Sequence, residues 1–155
     1  MRALALAGLA GFWAAAPLRG GEGFADAMKR AADQEHDVGT ASALKFYQAA
    51  MELAASDEEK AAALARLADC QLHTGAPAAA SATRRSILAL PDCRPVQRVD
   101  ALLALARIEP SPRQATELST RALAIPDMTA TQRAEALLIQ AQNLAKRGEC
   151  DRALS

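Results

Sequence analysis

The chain has 155 residues, enough for one domain with its own core. Eighteen lysines and arginines balance 18 aspartates and glutamates, so the basic excess of a general nucleic-acid binder is missing, and no block of like charge forms a tail. Alanine, the best helix former, fills 40 positions, and the five aromatics (Phe12, Trp13, Phe24, Phe46, Tyr47) all lie in the first third; thin, closely packed helices are expected.

Met1 and Arg2 precede ALALAGLAGFWAAA, residues 3–16, which carry no charge. One basic residue followed by an apolar run has the pattern of a secretory signal peptide, and the run is shorter than the ~20 residues of a membrane span. Cleavage after Ala25, with small Gly23 and Ala25 before the cut, is preferred to cleavage after Ala16, which would place Pro17 behind it. The expectation is a leader over residues 1–25 and an exported chain, periplasmic or extracellular, without tryptophan. The alternatives are an uncleaved run that anchors the chain to a membrane, and an ordinary buried helix. No cysteine follows the apolar run, so this is not a lipoprotein signal.

Residues 26–57 read as a degenerate helix pair, with Met28, Ala31 and Ala32 on the apolar side of the first helix and residues 43–53 as the second. His36, between Glu35 and Asp37, reads as a solvated helix end ahead of Gly39, since a lone histidine without convergent partners rarely makes a metal site. Ser56 and Glu59 have capping-box spacing. A helix follows, with Ala61, Leu64, Leu67, Ala68, Gln71 and Leu72 at steps of three and four, until Gly75. Pro77 suits the first turn of the next helix, which ends before Pro91. Another helix spans about Pro95 to Ile108. Ser111 to Gln114 is a further capping box with proline in the first turn, its helix ends before Pro126, and a last helix runs from about Thr131 to Gly148.

A period underlies this punctuation. Ser86–Asp92, SILALPD, returns 35 residues later as RALAIPD, Arg121–Asp127. Ala76-Pro77 and Ser111-Pro112 share that offset, as do Gln97-Arg98 and Gln132-Arg133, and Ala101-Leu102-Leu103 and Ala136-Leu137-Leu138. Repetition at this scale means stacked supersecondary units.

The unit resembles the tetratricopeptide repeat. Leu64, Leu67, Ala68, Gln71, Gly75 and Ala80 match the family's recurring positions, and Leu137, Gln140, Ala141, Leu144, Gly148 and Ala153 match them again. Leucine and Arg84 stand where aromatics are usual, and in the middle unit Leu103, expected beside Ala115, replaces a smaller residue. The resemblance implies an all-α fold of antiparallel helix hairpins stacked as a right-handed α-solenoid, in about three and a half units over residues 26–57, 58–93, 94–128 and 129–155. The middle unit's first helix is short, so successive units are expected to start 35 and then 38 residues apart. The last unit stops early, which points to a fragment of a longer protein or to self-association through the open C-terminal end.

No catalytic motif or phosphate-binding glycine loop is present, and Cys70, Cys93 and Cys150 lack metal-site spacing, so neither cofactor nor metal is expected and enzymatic activity is not. The resemblance implies that the first helix of each unit lines a concave face. Its polar members are Asp69 and His73, then Gln97, Asp100 and Arg107, then Glu135 and Gln142, with Ala62, Ala65, Leu72, Ala104, Ile108, Leu138, Ala145 and Lys146 beside them. Asp100, Arg107 and Glu135 read equally as solvated helix faces, and His73 as a cation meeting the end of its helix dipole. A mildly polar groove of this kind suits a peptide or protein segment better than a small molecule. The implied function is an exported scaffold or assembly factor that binds protein; the alternative is the N-terminal recognition region of a longer envelope enzyme or complex subunit.

Overall fold

The computed structural model describes residues 23–148. Most of the expected leader, Cys150 and Ala153 lie outside them. The described residues form seven helices and no strand: α1 (Phe24–Asp37), α2 (Thr40–Glu52), α3 (Asp57–His73), α4 (Pro77–Leu88), α5 (Pro95–Ile108), α6 (Pro112–Leu123) and α7 (Ala130–Lys146). Connections of two to six residues make neighbours antiparallel, and every helix packs against the next. Helix α5 also packs against α7 and touches α3. No helix among these is long and apolar enough to cross a membrane.

The helix ends follow the sequence. Ser56 Oγ accepts from the Glu59 N–H at 3.2 Å, while the Glu59 carboxylate reaches past the cap to the Ala55 N–H at 2.8 Å. Gly75, at φ +78°, closes α3: its N–H bonds Leu72 O and the Ala76 N–H bonds Gln71 O, satisfying two terminal carbonyls. Prolines 77, 95 and 112 each open a helix, where a missing N–H costs nothing.

The repeated heptad is the same helix end built twice. In α4 the Ala89 N–H bonds Arg85 O, and in α6 the Ala124 N–H bonds Thr120 O, both at 3.2 Å. Leu90 and Ile125, the next residues, bond Ile87 O and Ala122 O in the same way and are both half-buried.

Between units the register differs from the expectation. Measured from helix starts, α3 to α5 is 38 residues and α5 to α7 is 35, the reverse of the order read from the sequence. Helix α5 has 14 residues against 17 in α3 and α7, and the shortening falls after the start of the helix. From the cap, buried Ala61, Ala63, Leu64, Leu67 and Ala68 correspond to buried Val99, Ala101, Leu102, Leu105 and Ala106. In the first unit Ala32 is exposed, and the buried stripe of α1 is Ala27 and Ala31, one turn apart.

The core is a chain of small clusters, one per junction. Ala31, Ala43, Tyr47, Leu67 and Cys70 join α1, α2 and α3; Ala61, Leu64, Ile87, Cys93 and Ala101 join α3, α4 and α5; Val99, Leu102, Leu103, Ala106, Ala122, Ala136 and Ile139 join α5, α6 and α7. Phe24 packs with Ala27, Ala50 and Ala63 at the start of the stack.

Ala68 in α3 and Ala80 in α4 are both fully buried. Ala80→Leu should overpack this hairpin and lower its unfolding free energy by ~1–3 kcal/mol, read from urea denaturation; an unchanged midpoint would mean that the site has room to spare.

Candidate protein-binding face

The seven polar residues expected on the face of α3, α5 and α7 divide into groups with different work. Asp69, on α3, accepts a hydrogen bond from the Nη2 of Arg84, which reaches it from α4. Arg84 is 6 % exposed, and among the described residues its Nε has no partner and the Asp69 carboxylate is the one charge paired with this buried guanidinium. His73 is exposed in the last turn of α3, with Nδ1 2.8 Å from Asp69 O. That places it at the negative end of the helix dipole and still open to solvent.

Gln97 is a joint. Its Oε1 accepts from the Arg94 N–H at 3.3 Å, capping α5, and its Nε2 donates to Glu58 O at 3.0 Å, in the first turn of α3. Gln132 repeats the arrangement one unit later: Oε1 accepts from the Thr129 N–H at 3.0 Å and Nε2 donates to Val96 O at 3.3 Å. Gln132 Nε2 also donates to the Asp100 carboxylate at 2.6 Å. Arg107 and Glu135 form an ion pair between α5 and α7 at 3.2 Å. Gln142 is exposed on α7.

The structure thus brings Arg107 to Glu135, and His73 to the backbone of Asp69. Gln97 is spent on the stack, and Asp69 on Arg84. His73, Asp100, Arg107 and Gln142 remain exposed. The role of Gln132 was signalled by the repeated Gln-Arg pair, which has the same offset as the helix ends.

A second polar cluster escaped the sequence reading. Tyr47 on α2 is fully buried, and its hydroxyl donates to Glu35 of α1 at 2.8 Å. Arg66 of α3 bonds Glu35 at 2.7 Å and the Tyr47 hydroxyl at 3.3 Å, so one triad ties three helices. Tyr47 was the hint, as the one aromatic among the described residues with a polar end. Next to this cluster Cys70 is fully buried; burial, and then the nearby Glu35 charge, push its thiol up to about 11. Burial raises Cys93 too. Among the described residues no group of three or more His, Cys, Asp or Glu side chains is placed to hold a metal ion.

Compared with protein-family models, with curated proteins and with solved structures, the chain has no match.

Removing Asp69 would leave Arg84 buried without a counter-charge. Asp69→Ala should cost ~1–3 kcal/mol, and Arg84→Met in the same chain should restore most of the loss, because the charge goes with it. Additive losses in the double variant would show that the pair is not coupled.

Cys70 and Cys93 should resist alkylation at pH 8 in the native protein and react after unfolding. The raised Cys70 pKa, and the Tyr47 pKa that burial also raises, stabilise the fold below the thiol's ordinary value of 9.0. That contribution is lost as pH climbs from 9.0 to about 11, so the melting temperature should fall across this window and less so in Cys70→Ala.

Proposed function

We propose that the chain is a tetratricopeptide-like right-handed solenoid of the cell envelope, a scaffold that binds an extended or helical protein segment across α3, α5 and α7. The observation that best supports this is the packing of α5 on α7 and its touch on α3. No pair among α2, α4 and α6 packs as α5 and α7 do. A stack whose first helices lie closer together than its second helices bends toward the first, which makes their side the concave one.

The chemistry of that side favours a polypeptide. Asp100 and Arg107 are exposed, with Glu135 and Gln142 one unit further along, so both signs of charge recur along the row. Arg107 is exposed while its partner Glu135 is half-buried, so the guanidinium side of this pair is open to a ligand's charges. A segment in extended or helical form would meet these positions in series.

The tagged chain should retain a partner from native envelope extract, and His73→Ala, Asp100→Ala, Arg107→Ala and Gln142→Ala together should release it with the melting curve little changed. Asp69 and Gln97 stay intact, because their loss would weaken the fold itself. A partner held equally by both proteins would move the binding surface off this face.

A further inference from the structure

Helix α7 buries Gln132, Ala136, Ile139 and Asn143 against the stack. At 100° per residue the opposite side carries Ala130, Ala134, Leu137, Leu138, Ala141 and Ala145. Leu137 and Leu138 are 52 % and 58 % exposed, whereas Leu102 and Leu103, their counterparts one unit earlier, are 3 % and 1 % exposed. The difference has a visible cause. In the earlier unit those leucines share a cluster with Ala122 of α6, a helix that turns Ala115, Ser119 and Ala122 inward. The cover this surface takes is therefore a helix with small residues in successive turns.

Helix α7 is itself such a helix, and its pattern is symmetric about Leu137 and Leu138. Laid antiparallel on a copy of itself, Ala130 falls opposite Ala145, Ala134 opposite Ala141, and Leu137 opposite Leu138. A two-fold interface needs this self-complementarity. Alanine against alanine lets the two axes approach, and the leucines fill the centre. The flanks agree: Arg133 falls opposite Gln142, avoiding a like charge, and Asp127 ahead of one α7 lies toward Lys146 at the end of the other. The antiparallel helix dipoles also oppose each other favourably.

We infer that the chain forms a two-fold dimer through antiparallel α7 helices, with Leu137 and Leu138 at its centre. This surface shares Leu138 and Ala145 with the α7 edge of the face proposed to bind a partner, whereas Asp100 and Arg107 lie on α5, and alanine at those two should leave the dimer intact.

Sedimentation velocity of the full chain should show a monomer–dimer equilibrium, with dimer dominant by ~100 µM. Leu138→Glu should weaken the dimer at least ~100-fold, because each two-fold contact is lost twice. As Leu138 is exposed in the monomer, circular dichroism should be unchanged. In a Cys150→Ser background, an equimolar mixture of Ala134→Cys and Ala141→Cys chains should form a disulfide-linked pair on oxidation. Neither variant alone should do so, since like positions would sit ~10 Å apart along the axes. A parent that stays monomeric at ~100 µM overturns the inference. So does a dimer that survives Leu138→Glu, which would place association elsewhere, for example in the apolar run of residues 3–16. Cross-linking of each cysteine variant with itself would overturn the antiparallel arrangement. If Leu138→Glu fails to fold, the cysteine mixture decides alone.

Discussion

The close approach of helices at alanine is the constraint on which the rest depends. Ala31, Ala43, Ala50, Ala63, Ala68, Ala80, Ala101, Ala115, Ala122 and Ala136 are all fully buried, distributed over every helix of the stack. Alanine loses no rotamer entropy on burial, but it also contributes little apolar area. Each junction is therefore shallow, and none resembles a full domain core. Stability has to come from repetition, each inner helix being held from two sides by neighbours that are themselves held. Helix α5 shows the outcome, with Ala101 through Ala106 all buried among four surrounding helices.

Shallow junctions slide unless something fixes their register, and polar side chains supply that here. Gln97 and Gln132 each satisfy a free N–H at their own helix start and a carbonyl in the first turn of the preceding unit's first helix. One amide thus ties where a helix begins to where it sits in the stack. Where no such glutamine is available, the Glu35–Tyr47–Arg66 triad does comparable work for α1, α2 and α3. Both devices use groups whose two ends have different hydrogen-bonding characters, which is what a joint between separate helices requires.

Much of this was legible in the sequence because it rests on local chemistry. Proline at the first turn, serine caps and Gly75 act within a few residues of themselves, and the helix expected from Pro95 to Ile108 has those limits. The period was legible because a recurring helix end recurs as a string. What the string does not carry is the end of α5 at which three residues are missing. Removing them near either end leaves almost the same spacings, and only packing from the cap distinguishes the two. Polar spacing is ambiguous for a related reason. Asp69 and Asp100 look alike on a helix wheel, yet Asp69 meets a buried arginine from α4 and Asp100 an amide from α7, contacts decided by residues 15 and 32 positions away.

The first and last of the described helices have opposite character. The outer side of α1 exposes Asp26, Lys29, Arg30, Asp33, His36 and Asp37, whereas the outer side of α7 exposes alanine and leucine. Burying the first surface would strand charges, and burying the second would not. Head-to-tail growth, which needs each end to fit the other, is disfavoured by that mismatch. Association of like ends is left, and a two-fold contact between like ends closes on itself. Among the described helices this polarity therefore favours a pair through α7 over a filament, and an exposed apolar surface on α7 is compatible with an assembly that does not grow into an open polymer.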